Sequence, residues 1–454
     1  MTEGFFPPAF TERMRIQLQQ NWNDFVSAHE RPSPTSIRRN PIKSNANDFE
    51  KIPWTDFGYY LNRRPSFTFD PLFHGGAYYV QEASSMFLEQ ALKQAVDLSQ
   101  PLQVLDLCAA PGGKSTHLLS LINDQSLLVA NEAIRSRATV LGENIQKWGN
   151  NNVVVTNNDP EDFQRLEGCF DVIVVDAPCS GEGLFRKDPQ AIHQWSEENV
   201  ELCALRQQRI LNQVWPALKK NGVLIYCTCT YNEKENEENM NWLAKGKKIE
   251  SVKLKMENNF GVEEVKKNNV FGYRFYPHQI KGEGFFISVI RKKEEQHEIL
   301  IHRKKTFDHP PTKIKERLSS WLQEPEEIEF IKQEELILAL PKNYLFEIEF
   351  LTKFLRVIQK GTAMATAKHD KLIPEHAMSL STKINRENFT SIELSLNDAI
   401  AYLRKDVLNL PSEKTGFALM NYQNVPIGWA NLLGKRMNNL YPSAWRIRND
   451  YQSA

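Results

Sequence analysis

Between Leu102 and Cys229, short apolar runs alternate with longer stretches in which apolar residues recur every three or four positions. The runs are LQVLDL, SLLVANE, NVVVTNND, FDVIVVDAP and NGVLIYCTC. They are rich in β-branched residues, and each closes on an acid, a cysteine or a turn. Continuous apolar strands separated by helices predict a parallel sheet covered on both faces. Ligands of such sheets sit at the carboxyl ends of the strands. That rule singles out Asp106, Glu132, Asp159, Asp176 and Cys229.

The flanks have a different texture. FTERMRIQLQQNWNDFVSA sets Phe10, Met14, Leu18, Trp22 and Phe25 at helical spacing. RPSPTSIRRNPIKSNAND reads as loop with one short strand, and QEASSMFLEQALKQAV as a second helix leading into the sheet unit. The sheet unit closes near GEGFFISVIRKK, and RKKEEQHEILIHRKK reads as a solvated linker. KIKERLSSWLQ and YLFEIEFLTKFLRVIQ suggest a small α+β unit. The last part predicts a helix over LSLNDAIAYLRKDVL, then a hairpin turning at NYQNVP, with a basic and aromatic end. The expected organisation is an N-terminal segment over 1–98, an α/β core over 99–293, a linker and small α+β domain over 294–380, and a C-terminal domain over 381–454.

Composition narrows the function classes. With 454 residues, 41% of them hydrophobic, the chain can build several packed cores. Lys+Arg and Asp+Glu are both 56, so no global field draws it to nucleic acid or membrane, and any such partner needs a local patch. No apolar run is long enough to span a bilayer. MTEGFFPPAF lacks the basic flank and apolar stretch of a signal peptide. Six cysteines in this length are too few for a disulfide framework, so a cytoplasmic monomer with reduced thiols is expected.

LDLCAAPGGKST ends like a phosphate-binding P-loop. The P-loop's first glycine would stand at position 108, where the chain has Cys108, and Pro111 removes a backbone N–H from the cradle. A nucleoside triphosphatase is therefore disfavoured. The small residues Ala109, Ala110, Gly112 and Gly113 still admit close approach of a nucleoside-like ligand. Glu132 lies where a ribose-hydroxyl acceptor would, and Asp159 could accept from an adenine amino group. Taken singly, each acid is also explained as a solvated turn residue.

Two thiols sit at strand ends beside polar turns, Cys179 in VDAPCSGEG and Cys229 in IYCTCTYNE, whereas Cys169 and Cys203 read as small buried apolar residues. Zinc ligation by Cys179, Cys227 and Cys229 is disfavoured, because C-x-C lacks the usual knuckle spacing and no His pair completes it, so no metal is expected. A thiolate that attacks an electron-poor ring, with a second group for later proton removal, accounts for more of the pattern.

LDLCAAPGGKSTHLL, VDAPCSGEGLFRKDP and YCTCTYNEKENEE, in this order, closely resemble the RNA 5-methylcytosine methyltransferases of the NSUN/RsmF type. YYVQEASSM, YPHQIKGEGFFISVIRK, FFPPAFTERM and SIRRNPIK resemble that family's flanking motifs, so the match runs from the start to about Lys293. PIGWANLLGKRMNNLYPSAWRIR is similar to the PUA-like end of the bacterial RsmF group, which modifies small-subunit ribosomal RNA. The resemblance implies a Rossmann-like class I core using S-adenosylmethionine, with an N-terminal α+β segment and C-terminal α+β and PUA-like domains.

It further implies that Cys108, Ala109, Ala110, Pro111, Gly112, Gly113 and Lys114 form the cofactor loop, that Glu132 takes the ribose and Asp159 the adenine edge, and that Asp176 lies between cofactor and base. Cys229 would be the nucleophile and Cys179 would assist product release, with Lys114 steering Asp176 or the base. Cys227 departs from the pattern, since the family more often has a small non-thiol residue there. Strand alternation points Cys227 and Cys229 the same way unless the turn begins between them; the polar turn after Cys229 favours Cys229.

Ribosomal RNA is the expected partner. Transfer RNA, or a non-catalytic RNA-binding role on the same fold, are the alternatives. Candidate RNA contacts are Arg63, Arg64, Arg186, Lys187, Lys435, Arg436, Trp445, Arg446 and Arg448.

Overall fold

The computed structural model describes residues 5–44, 49–257, 260–295, 307–369, 371–408, 414–434 and 436–449. Most of the charged linker and Lys435 lie outside these residues. The N-terminal helical run is two helices, α1 (Pro8–Leu18) and α2 (Trp22–His29), because Gln19 takes a left-handed φ of 49° between them. Phe10, Met14, Leu18 and Phe25 are buried as the spacing predicts, against Phe185, Trp195 and Tyr231 of the core. Strand β1 (Thr35–Arg39) falls in the Pro- and Ser-rich stretch, at the centre of a small antiparallel sheet. Its neighbours are β2 (Gly58–Leu61) and, after the short helix α3 (Pro71–His74), β3 (Tyr78–Val80). A 3-10 turn then leads into α4 (Leu88–Ala95).

The core alternates as expected: β4 (Gln103–Asp106), α5 (Gly113–Leu121), β5 (Leu127–Asn131), α6 (Arg135–Trp148), β6 (Val153–Thr156) and β7 (Phe170–Asp176). Helices α7 (Pro189–Gln194) and α8 (Glu197–Val214) lead to β8 (Leu218–Thr228) and α9 (Glu237–Gly246). Strands β9 (Ile249–Ser251), β10 (Glu263–Lys267), β11 (Val270–Phe275) and β12 (Phe285–Lys292) follow. Strands β8, β7, β4, β5 and β6 lie side by side in parallel, in that order. Their residues are buried almost without break, for instance Val153 to Val155 and Val172 to Val175, because helices cover both faces. From β4 the chain steps one way to β5 and β6, then returns to lay β7 on the other side. The crevice at the carboxyl ends of β4 and β7 is thus a topological switch point.

Beyond the core come α10 (Thr312–Ser319), β13 (Ile328–Gln333), β14 (Leu336–Pro341) and α11 (Leu345–Phe354). Strand β15 (Val357–Lys360) pairs antiparallel with β6, so the core sheet takes an edge strand from sequence that reads as a separate unit. Strands β16 (Thr362–Lys368) and β17 (Lys371–Pro374) complete a four-stranded sheet with β13 and β14. The short α12 (His376–Ser379) precedes β18 (Thr390–Glu393), α13 (Leu396–Arg404), β19 (Thr415–Tyr422), β20 (Val425–Leu433) and β21 (Met437–Asn439). The expected hairpin turns on Gln423 and Asn424, both at positive φ, as a two-residue turn between right-twisted strands requires. Leu419 and Trp429 of that hairpin share one apolar cluster with Leu318, Phe330 and Met364 of the preceding unit. Among the described residues no helix is long and apolar enough to cross a membrane.

Candidate active site at the sheet switch point

The loop after β4 is held from several sides. Ala109 N–H donates to Asn131 O at the end of β5 (2.8 Å), Arg137 donates to Ala110 O (2.8 Å) and Asn144 to Pro111 O (2.8 Å). Gly112 stands at φ 114°, where a Cβ would also meet Leu141 Cδ1 at 3.3 Å. The loop therefore needs glycine to turn into α5. From the N-terminal sheet, the fully buried Arg38 donates to Gly113 O (3.3 Å), Thr116 Oγ1 (2.5 Å) and Ser120 Oγ (3.0 Å), with its guanidinium 4.4 Å above the Trp148 ring.

Three carboxylates stand at or just past the ends of β4, β5 and β6. Asp106 is fully buried; its Oδ2 accepts from Ser115 Oγ (2.6 Å), and its Oδ1 has no partner among the described residues. Burial pushes its pKa up to about 7, and the nearby Asp176 and Glu132 add to the rise. Glu132 is buried after β5, accepts from Ile134 N–H (2.9 Å) and lies 3.5 Å from Arg137. Asp159 is half-exposed: it caps the turn at Glu161 and pairs with Arg209 at 2.9 Å. Carboxylates at these strand ends disfavour a triphosphate, as Cys108 and Pro111 do in the sequence. The unpartnered Asp106 oxygen and the glycine-floored loop fit the charged amino acid end and sulfonium of S-adenosylmethionine.

Asp176 ends β7, and its Oδ2 lies 2.7 Å from Lys114 Nζ. Lys114 is not solvated surface: it is buried in the first turn of α5, with its Nζ 5.2 Å from the centre of the Phe285 ring. Burial alone would lower its pKa, but the Asp176 carboxylate more than reverses this and holds the ammonium above its ordinary range.

Cys179 and Cys229 meet at Sγ···Sγ 3.1 Å. The bond to Cys229 and burial push the Cys179 thiol well up. Strand β8 ends at Thr228, so the turn does begin between Cys227 and Cys229. Cys227 is fully buried and burial pushes its thiol up, while Cys229 reaches the partly open edge. Cys169 and Cys203 are free thiols that burial also pushes up, to about 11 each.

Two buried acids that carry no role in the sequence reading clamp the thiol-bearing turns together. Glu235 accepts from Ser180 N–H (2.9 Å), Ser180 Oγ (2.5 Å) and Gln207 (2.9 Å). Glu182 accepts from Arg13 (2.6 Å), Trp195 Nε1 (2.9 Å) and Tyr231 N–H (3.2 Å). Both lie within the quoted SGEG and NEKENEE motifs, so their position beside the cysteines was the available signal. Of the basic candidates, Arg186 is no free surface cation: it is buried against Glu283 at 3.0 Å. Trp445 packs edge-on against His376 and beneath Lys147. Arg446 and Arg448 are exposed. Among the described residues no cluster of His, Cys, Asp or Glu is arranged to hold a metal.

Three family models match the chain. They describe the 16S rRNA methyltransferase RsmB/F over residues 93–291, the N-terminal domain of 16S rRNA methyltransferase RsmF over 6–83, and the methyltransferase RsmF PUA domain over 389–447. A ribosomal RNA small subunit methyltransferase F from Escherichia coli O81 (strain ED1a) is 30% identical, with 96% of each chain covered. A methyltransferase homolog protein from Pyrococcus horikoshii is 29% identical at TM-score 0.51, covering 60% of this chain and 91% of that one. NSun6 from the same organism, crystallised with SFG, shares the fold at 19% identity and TM-score 0.53, covering 64% of this chain and 99% of that one. With its N-terminal segment, switch-point core and C-terminal hairpin all matched in order, the chain belongs to the RsmB/F family of 16S rRNA methyltransferases.

Proposed function

We propose that this protein methylates carbon 5 of a cytosine in small-subunit ribosomal RNA, with S-adenosylmethionine as donor and a cysteine adduct as intermediate. The thiol pair at 3.1 Å beside the Asp176–Lys114 pair carries this reading. The 105–116 loop, Asp106 and Glu132 would hold the cofactor, with Asp159 at its adenine edge, and the group supplies an electrophilic methyl. The match over 96% of a small-subunit enzyme favours ribosomal over transfer RNA.

Carbon 5 of cytosine is a weak nucleophile. Attack of the Cys229 sulfur on carbon 6 moves electron density to carbon 5, the thiol proton passing by way of the Asp176 carboxylate to ring nitrogen 3, with Lys114 holding Asp176 in place. After carbon 5 is methylated, a water takes its proton as the carbon–sulfur bond breaks and the electron pair returns to the Cys229 sulfur. Cys179, 3.1 Å from that sulfur, promotes this step by hydrogen-bonding to the departing thiolate. The target base has to leave any helical stack to reach these groups.

The test is incubation of the protein with methyl-labelled S-adenosylmethionine and small-subunit RNA, free or in assembled subunits, scored for 5-methylcytosine. Label in 5-methylcytosine is expected. Transfer to neither form, or to transfer RNA alone, overturns the reading.

A further inference from the structure

A cavity of about 340 Å³ lies beside the thiol-bearing turns, between the N-terminal sheet and the segment that follows Cys179. Ser33, Thr35, Arg64, Glu82, Arg186 and Lys187 line it. Its volume is in the range of about 300–1,000 Å³ of small-ligand sites. One wall reaches the cofactor loop: Gln81, beside Glu82, lies 3.7 Å from the point a Gly113 Cβ would occupy. The opposite wall reaches the nucleophile, since Gly183 N–H donates to Cys229 O (2.8 Å) and Arg186 stands three residues further on.

The charges sort by function. Arg186 is neutralised by Glu283 and also donates to Gly282 O (2.6 Å), which fixes the back of the cavity. The Glu82 carboxyl accepts N–H bonds from Ser84 (2.9 Å), Ser85 (2.9 Å) and Glu283 (2.8 Å), which hold it in place and partly offset the rise in its pKa that burial and Glu283 cause. Ser33 Oγ donates to Glu283 (2.5 Å). What is left for a ligand is positive charge at the rim, where Arg64 and Lys187 are exposed, and a fixed acceptor inside at Glu82. Two cations at the rim with an acceptor at depth suit a phosphate joined to a base that carries N–H donors.

Building on the RNA methylation proposed above, we propose that this cavity holds the nucleotide adjoining the target cytosine. Arg64 and Lys187 bind its phosphate, and Glu82 accepts from its base edge. An extruded base must be followed by its neighbours along the strand, and contacts to those neighbours set sequence context. The N-terminal sheet then reads the RNA directly at the reacting centre, rather than only tethering it.

The test is a double-mutant cycle on RNA carrying the mapped target segment. One axis is Arg64→Ala with Lys187→Ala. The other is a neutral methylphosphonate linkage placed on either side of the target cytosine. Affinity is read by fluorescence anisotropy and turnover by 5-methylcytosine formation. The double variant should weaken RNA binding about tenfold and lower the salt dependence by roughly one phosphate contact. One of the two neutral linkages should weaken wild-type binding yet add little to the variant's defect. Equal penalties in wild type and variant, or an affinity that ignores both changes, overturn the cavity's assignment. Normal binding without 5-methylcytosine counts instead against the proposed reaction.

Discussion

The Sγ atoms of Cys179 and Cys229 stand 3.1 Å apart, although the two residues follow different parallel strands. The contact with Cys229 and burial push the Cys179 thiol well up. Cys229→Ala should lower turnover by at least on the order of a thousandfold, as loss of a nucleophile does. Cys179→Ala should form the adduct but fail to release it, giving a protein–RNA band of retarded mobility that survives denaturing gels. Cys227→Ala should remain active. An active Cys229→Ala with a dead Cys227→Ala would reverse the assignment.

Glu235 sets the spacing of the two turns through Ser180 and Gln207. Glu235→Ala leaves the buried Ser180 N–H without its acceptor, at a cost of about 1–3 kcal/mol before relaxation, while Ser180 Oγ keeps Thr230 (3.0 Å) and Gln207 keeps Pro178 O (3.0 Å). Denaturant titration should show the lost stability. Steady-state kinetics should show kcat falling more than KM for S-adenosylmethionine, because the thiols move and the cofactor loop does not.

Asp106 gives the site a pH dependence. An unfolded Asp ionises near about 3.9, and in the fold this carboxyl is held up at about 7. Between those values the folded chain retains a proton that the unfolded chain has lost, so stability falls as pH rises from about 4 to about 7 and then levels off. Asp106→Asn should flatten that slope in thermal melts recorded across the window. A cationic ligand beside Oδ1 displaces the proton, so calorimetric affinity for S-adenosylmethionine should rise through the same window in wild type and not in Asp106→Asn.

Gly112→Ala places a Cβ at φ 114° and 3.3 Å from Leu141. A strained left-handed position of this kind costs about 1–3 kcal/mol. The variant should melt at lower temperature and show a raised KM for S-adenosylmethionine, with RNA affinity unchanged in anisotropy titrations.

The parallel core was legible because buried strands and amphipathic helices leave separate periodicities in the sequence. That the loop after β4 is no phosphate cradle was legible because Cys108 and Pro111 break the P-loop pattern in local terms alone. Alternation could not separate Cys227 from Cys229, since a period of two does not say where a strand stops; β8 ends at Thr228, which leaves Cys227 buried in the strand and Cys229 in the turn. Glu182 and Glu235 stayed silent because their partners lie far along the chain, such as Arg13 for Glu182. The same holds for Arg186, whose partner Glu283 turns a surface-like cation into a wall. Strand β15 was hidden for a further reason: an edge strand of four half-exposed residues has too little apolar pattern to announce which sheet it joins.

Arg38 reaches Gly113 O across 75 positions of sequence. The segment before the core is therefore part of the cofactor loop's own architecture. A core cut free ahead of Leu102 would lose the guanidinium that fills the space between Trp148 and the first turn of α5, leaving Thr116 and Ser120 facing a void. Excision would yield an enzyme with its chemistry written intact and its binding loop unpegged. The unit that holds the loop after β4 in place begins well before Leu102.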